Sequence, residues 1–173
     1  TSAGGTGFEY ASVMAGFGLG NIVAGDFGNS ATFGQTTINP TSPYHASCAQ
    51  VAGRYCEFFL GSVSDTGDWD WVVTADHANG YSFVSDVSAG MAGEAVIGGS
   101  FSGSVQFGIQ TITSQVGDGY LAKTDPFGNF MWAHSHATTG TNNNTSSVDA
   151  VEVDFNGDIV IAGSFDGNTD FGG

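Results

Sequence analysis

Side chains that carry oxygen ligands recur at every second position in two stretches near the end of the chain. They are Asp154, Asn156 and Asp158 in one stretch, and Asp166, Asn168 and Asp170 in the other. Calcium takes about six to eight oxygen ligands, and alternate positions of a tight turn can direct side chains and carbonyls inward. The spacing is therefore compatible with calcium binding, and the alternative, which ordinary turn chemistry favours, is that these residues are solvated turn formers.

A looser group of acids, Asp65, Asp68 and Asp70, surrounds an earlier turn. The stretch Gly90–Glu94 matches Asp154–Asp158 in position but lacks the oxygen triplet. A calcium role would therefore be local to one or two turns and not a property of the repeat. The net charge of −15 adds to this expectation, because divalent cations relieve self-repulsion.

Trp69, Trp71 and Trp132 are the candidates for ligand binding. An exposed indole ring offers an apolar face on which a sugar can stack. This pattern predicts a carbohydrate-binding or carbohydrate-active function, provided that the rings are exposed.

Histidines lie near these Trp residues. His134 and His136 alternate with Trp132 along one predicted strand, and paired His side chains on one face can bind a metal. The alternative is that they are polar residues on an exposed outermost strand, and His77 is expected in a similar position earlier in the chain. Neither a Ser-His-Asp order nor a Gly-x-Ser-x-Gly elbow occurs, so we expect no enzyme.

The two cysteines, Cys48 and Cys56, bracket one short loop. In an acidic chain with two cysteines this spacing predicts a disulfide that staples a segment without strand pairing of its own. The alternative is two unpaired thiols. Zinc is disfavoured, because His45 is the one further ligand nearby.

The charge balance excludes whole classes of function. The chain has seventeen acidic residues and two basic ones. A nucleic-acid binder needs basic groups to displace counterions, so nucleic-acid binding is excluded. Anionic membrane surfaces are disfavoured for the same reason. No run of about 18 apolar residues occurs, so we expect no membrane insertion.

Short apolar or alternating runs, separated by turn residues, predict an all-β chain. The predicted strands lie near Tyr10–Ala15, Asn21–Phe27, Phe58–Val63, Trp69–Thr74, Phe83–Ala89, Glu94–Phe101, Gly119–Thr124 and Phe130–Ser135. The Val, Ala and Ile residues of the second strand in each repeat are expected to be the most buried.

The same skeleton occurs three times: a turn, an apolar run, Gly-x-Phe, and a second Phe-Gly. Its Phe pairs are Phe27/Phe33, Phe101/Phe107 and Phe165/Phe171. The repeats divide the chain into a first unit (residues 1–80, with an insertion at 35–57), a second unit (81–145) and the first half of a third unit (146–173). Trp71 and Trp132 are expected to pack on the sheet of the neighbouring unit.

Four-stranded units with recurrent Gly and aromatic residues are typical of β-propeller blades. The chain supplies about two and a half blades, whereas a propeller has about four to eight. We therefore expect a piece of a longer chain, or a chain that assembles with other copies.

Two blocks make the resemblance to a family specific. Residues 151–165 read VEVDFNGDIVIAGSF, and residues 118–133 read DGYLAKTDPFGNFMWA. They resemble the bacterial β-propeller repeats labelled SBBP, whose pattern runs AVxVDxxGNxYVTGSF and then DxFVAKLDxxGNxxWA. The resemblance implies an extracellular or cell-surface setting and a scaffold or adhesive role, and it brings no catalytic motif.

The leading expectation is a secreted, non-catalytic structural or adhesive repeat module, built into a larger protein or filament. Its partners would be other copies or the remainder of a longer chain, and glycans under the carbohydrate alternative. Asn143 and Asn144 are glycosylation acceptor sites, or else members of a plain polar loop.

Overall fold

The chain forms β-strands and turns throughout the residues that the structure describes. This computed structural model describes residues 2–5, 9–18, 20–41, 57–139 and 145–169. These ranges contain strands and no helix, so the predicted all-β class is confirmed, and no helix in them could span a membrane. The strands are β1 (Ala3–Gly5), β2 (Glu9–Phe17), β3 (Gly20–Phe27), β4 (Ala31–Phe33), β5 (Thr36–Ile38), β6 (Glu57–Val63), β7 (Trp69–Val73), β8 (Asp76–Ala89), β9 (Ala95–Phe107), β10 (Gln110–Thr124), β11 (Phe130–His136), β12 (Thr138–Thr139), β13 (Ser146–Val153), β14 (Ile159–Phe165) and β15 (Asn168–Thr169).

Two four-stranded antiparallel sheets form the body of the structure. The first has the order β2-β3-β6-β7 and the second β8-β9-β10-β11, so each strand lies beside its predecessor. All eight strands predicted for the first two units are present. Strands β8, β9 and β10 are longer than predicted, because Val105, Phe107 and Ile112 continue the buried alternation beyond Phe101.

The third unit contributes the hairpin β13–β14, which packs against the second unit. The backbone amide of Val151 donates to Asp86 Oδ2, and that of Val153 donates to Ser88 Oγ, each at 2.9 Å. From the first hydrogen bond to the second, the residue number rises by two on both strands, so β13 runs parallel to β8. The hairpin turns of the second and third units therefore lie at the same end of the molecule.

A β-bulge explains the glycine of the recurrent Gly-x-Phe. Each unit has a register shift in its first strand: between Ala11 and Val13, between Val84 and Asp86, and between Val148 and Ala150. A Cβ on Gly25, Gly99 or Gly163 would collide with a carbonyl oxygen of that strand. The close approach of the backbone admits no side chain at these three positions.

Two small sheets accompany the large ones: β1-β4-β5 and β12-β15. Strand β5 falls within the predicted insertion and pairs with β4, from Ala31 opposite Ile38 to Phe33 opposite Thr36. The expectation that this segment has no strand pairing is therefore wrong at its start. The tight turn at Gly34, with φ of 60°, allows the chain to fold back directly on β4.

Three apolar clusters hold the sheets together. The largest lies between the first two units and includes Ile22, Leu60 and Ile97. A second includes Phe27 and Phe33, within the first unit. The third joins the second and third units and contains Val96, Leu121, Val148 and Val151.

The prediction that second strands carry the most buried Val, Ala and Ile residues is confirmed for β3 and β9. It is wrong for β14, where Val160 is 64% exposed and Ala162 is also exposed. The reason is that no described sheet covers the outer side of β13–β14.

Candidate functional site

Trp71 links the first unit to the second. Its indole packs over Gly128, where a Cβ would lie 2.7 Å from the ring, and its Nε1–H donates to the Pro126 carbonyl at 2.9 Å. The predicted packing of Trp71 on the neighbouring unit is confirmed.

Trp69 and Trp132 are half-buried as well. Trp69 packs over Gly61 within its own sheet, and Trp132 packs against the cluster that joins the second and third units. The packing of Trp132 on the neighbouring unit stays a prediction, because the cluster also contains Val96 and Leu121 of its own unit. Sugar stacking requires an open ring face, so this geometry gives the carbohydrate prediction no support, and it stays a prediction.

His134 and His136 do not form an exposed pair. The His134 side chain is exposed, with its ring centroid 5.2 Å from that of Trp132. His136 is 4% exposed, and its carbonyl accepts a hydrogen bond from the Ser146 hydroxyl. The expectation of two exposed polar residues is therefore wrong for His136, because the third unit covers this end of β11.

Four hairpins in the described part of the chain are closed by the same type of five-residue turn. These turns are Ser64–Asp68, Gly90–Glu94, Asp125–Asn129 and Asp154–Asp158. In each, the first amide donates to the fifth carbonyl, and the amide of the fourth residue, a glycine, donates to the first carbonyl. The four glycines have φ values from 85° to 92°, a conformation that other residues rarely adopt.

The carboxylate of Asp154 caps its own turn. Oδ1 accepts the amides of Asn156 and Asp158 at 2.8 and 2.9 Å. These bonds, first of all the one from Asp158, hold the pKa of Asp154 below its ordinary value of 3.8. In the second unit Asp125 is bound in the same way by Asn129, whose side-chain amide is the main cause that lowers the pKa of Asp125.

The structure accounts for the first oxygen triplet without a metal, because turn amides already occupy Asp154. Among the described residues, no three His, Cys, Asp or Glu side chains lie together as a metal site. In the second triplet, the Asp166 amide donates to the Thr145 carbonyl, Asn168 lies in β15, and Asp170 lies outside the described residues. Calcium stays a prediction at both turns.

The looser acidic group makes local hydrogen bonds. Asp68 accepts the Thr66 hydroxyl at 3.0 Å, and Asp70 accepts the Ser62 hydroxyl at 3.2 Å. Asp68 therefore stabilises the turn and Asp70 bonds to the neighbouring strand, and the two carboxylates do not share a hydrogen-bond partner.

Several predicted sites lie outside the described residues. Cys48, Cys56 and His45 fall in residues 42–56, and Asn143 and Asn144 fall in residues 140–144. The disulfide and the glycosylation sites stay predictions.

A buried polar network that the sequence analysis missed joins Glu57 to His77. Both side chains are fully buried, with Glu57 Oε2 3.5 Å from His77 Nδ1. The Thr41 amide donates to the same carboxylate oxygen at 3.0 Å, and the Thr41 hydroxyl accepts the His77 amide at 2.8 Å. The prediction that His77 is an exposed strand residue is wrong, because His77 lies on β8, against the end of β6. The carboxylate of Glu57 beside the apolar run Phe58–Leu60 is the signal that could have identified the network, since a buried charge requires partners.

Ser82 extends this network, with Oγ 2.7 Å from His77 Nε2. A Ser-His-Glu row is an arrangement used for nucleophilic catalysis. Ser82 is 0% exposed, so its hydroxyl cannot meet a substrate. Thr41 and Glu57 stand on either side of residues 42–56, and His77 on β8 ties both of them to the second four-stranded sheet. The geometry therefore supports a structural role at the base of this segment.

A cavity of about 300 Å³ adjoins His77, lined also by Asp76, Ser104, Gln106 and Thr111. Both ring nitrogens of His77 are engaged inside the protein. The imidazole therefore offers a ligand no open position.

Apolar side chains of the third unit are exposed, as are Tyr10 and Met14 on β2 of the first unit. Val160 is 64% exposed and Phe165 is 52% exposed. Beside them a second cavity, of about 240 Å³, is lined by Ser147, Val148, Ile161, Ala162 and Gly163. Open apolar strands of this kind mark a site of association.

Comparison with known proteins finds no family model that matches this chain and no curated protein that matches it.

Proposed function

We propose that this chain is a non-catalytic repeat module of the β-propeller type that assembles through its third unit. The two four-stranded sheets are its blades, and β13–β14 is the inner half of a third. Three features support this proposal: strand order that follows the chain, a bulge repeated at equivalent positions, and turns of successive units at one end.

The observation that carries the proposal is how one unit covers the next. A Cβ on Gly98 would lie 2.5 Å from the Val148 side chain, so the third unit lies directly on β9. Under this cover Val96 is 1% exposed, whereas the equivalent Val160 is 64% exposed. A further unit of the same type, from a longer chain or another copy, would cover Val160 in the same way.

The setting proposed for the module is extracellular or on the cell surface, as a scaffold or adhesive element of a larger protein or filament. The resemblance to SBBP repeats and the net charge of −15 support it. A chain with this charge resists non-specific association, so that contact is confined to its apolar surfaces.

Light scattering over a range of protein concentrations tests the assembly. We expect association of the chain, and we expect Val160→Lys to abolish it, because a lysine cannot enter an apolar interface without loss of hydration. Ile109→Lys is the matched control, since Ile109 is 96% exposed at the turn between β9 and β10. A chain that stays monomeric at every concentration, or equal loss of association in both variants, would contradict the proposal.

A further inference from the structure

Three of the four five-residue turns carry a large apolar side chain at the tip. Met91, Phe127 and Phe155 are 82%, 78% and 83% exposed. Met91 and Phe155 occupy the second position of their turns, and Phe127 occupies the third. The turn Ser64–Asp68 has the same hydrogen bonds with Asp and Thr at these two positions. The turn conformation therefore does not require an apolar tip.

The three tips lie at one end of the molecule. Strands β8 and β10 are both antiparallel to β9, so the turns that follow them lie at the same edge of the sheet. These turns are two strand spacings apart, which is about 10 Å. The turn of the third unit lies at the same end, because β13 runs parallel to β8, and packed sheets are about 10 Å apart. Met91, Phe127 and Phe155 thus form one surface, the turn face.

Contacts between units do not use these tips. The Phe17 ring of the first unit lies over Gly93, where a Cβ would be 2.8 Å from it, and Trp71 lies over Gly128. Both glycines are buried, whereas the apolar tips of the same two turns stay exposed. The third unit packs on the other side of β8 and β9, so Met91 is exposed although units lie on both sides of its own. Its exposure therefore does not come from a missing neighbour.

The turns hold their tips in fixed positions. Each is closed by two backbone hydrogen bonds and a glycine of positive φ, and the carboxylates of Asp125 and Asp154 cap two of them. A surface that is ordered before binding loses little conformational entropy when a partner binds. Large apolar groups that are exposed together and contribute nothing to the packing of the chain mark an interaction site.

Charge indicates the kind of partner. The four turns contain six acidic residues and no basic one: Asp65, Asp68, Glu94, Asp125, Asp154 and Asp158. The one lysine of the chain, Lys123, is paired with Glu94, with Nζ 3.8 Å from Oε1. Carboxylates around apolar tips attract cationic groups and repel anionic ones. The turn face is therefore complementary to a surface that is both apolar and positively charged.

We propose that the turn face binds a cationic, amphipathic segment of a partner protein. The apolar side chains of the segment cover Met91, Phe127 and Phe155, and its Lys or Arg residues lie beside the turn carboxylates. This role goes beyond the proposed assembly, because it uses the end of the molecule and a partner of opposite charge, whereas the assembly uses Val160 and units of the same type.

Three labelled synthetic peptides of equal length test the proposal on the whole chain: one of leucine and lysine, one with serine in place of leucine, and one with glutamate in place of lysine. Fluorescence anisotropy measures binding. We expect the leucine–lysine peptide to bind at least about tenfold more tightly than the serine–lysine peptide, because of the apolar area that it buries. The leucine–glutamate peptide should not bind, since like charges repel.

Protein variants locate the site. Met91→Ser, Phe127→Ser and Phe155→Ser, combined in one chain, should reduce binding of the leucine–lysine peptide to the level of the serine–lysine peptide. Ile109→Ser is the matched control, because Ile109 is 96% exposed at the opposite end of the second sheet, and it should leave binding unchanged. Thermal melts verify that both variants fold.

Several outcomes would overturn the inference. Equal binding of the leucine–lysine and serine–lysine peptides would mean that net charge alone attracts them, and equal binding by the combined variant and the natural chain would place the site elsewhere. Binding to neutral phosphatidylcholine vesicles, lost in the combined variant, without preference for the leucine–lysine peptide would assign the tips to lipid.

Light scattering separates this inference from the proposed function. The combined variant should associate as the natural chain does, since its substitutions lie away from Val160. Loss of association would assign the tips to contact between copies and overturn the inference. Normal association together with failure of the peptide tests would reject the turn face as a binding site and retain the proposed function.

Discussion

Strands β9 and β14 have nearly the same sequence motif and very different surroundings. Both follow the same five-residue turn, pair with a bulged first strand and carry Gly-x-Phe. Phe101 on β9 is 0% exposed, and its equivalent Phe165 on β14 is 52% exposed. The comparison teaches that the motif specifies a hairpin, whereas the strands and sheets beside the hairpin determine burial.

The largest difference is expected at the two phenylalanines. Phe101→Ala should lower the free energy of unfolding by about 4 kcal/mol, because it leaves a cavity in the main core. Phe165→Ala should lower it by about 1 kcal/mol, since the ring is half-exposed. Chemical denaturation of both variants measures the difference, and equal losses would show that β14 is covered in solution.

Replacement of a bulge-associated glycine by alanine should also destabilise the protein more in β9 than in β14. Gly99→Ala is expected to cost about 3 kcal/mol, because its Cβ meets both a carbonyl and the Tyr120 ring in a packed sheet. Gly163→Ala meets the carbonyl alone at an edge strand that can shift, so a loss of about 1 kcal/mol is expected. Thermal melts compare the two, and a larger loss at Gly163 would contradict the interpretation of β14 as an open edge.

A smaller difference in stability is expected between variants of the equivalent residues Trp71 and Trp132. Trp71→Phe removes the hydrogen bond to the Pro126 carbonyl of the next unit, and a loss of about 1 kcal/mol is expected. Trp132→Phe is the matched variant, because no described turn of the third unit takes the place of Pro126 beside it. Denaturation midpoints should therefore fall further for Trp71→Phe, and the opposite order would be inconsistent with this link between units.

The smallest expected effect is on the stability of the fold at acidic pH. Turn hydrogen bonds lower the pKa of Asp125 and of Asp154 in the folded state below the ordinary value of 3.8. Their stabilisation is fully present above pH 3.8 and is lost as pH falls through the lowered pKa values. Stability measured from pH 5 down to pH 2 should fall more steeply in the natural chain than in an Asp125→Asn, Asp154→Asn double variant. Parallel curves for the two chains would show that these carboxylates do not contribute.

Much of the local structure was predictable from sequence. Turn glycines and alternating apolar residues act over a few positions, which is why the eight strands of the first two units were predicted. The Asp residues of the turns were recognised, but the spacing of their oxygens fits a calcium ligand set as well as a cap. Hydrogen bonds from the Asn156 and Asp158 amides to Asp154 favour the cap.

The sequence by itself determined the hairpins, the repeat and the class of fold, because the backbone preferences of glycine and the alternation of strand faces are properties of neighbouring residues. Tertiary structure alone decided that Val160 is exposed while Val96 is buried, and that Glu57, His77 and Ser82 meet. Those outcomes depend on which sheets lie against each other. A local pattern such as Glu57 beside an apolar run can show that a residue needs a partner, but it does not identify a partner that is distant in the chain.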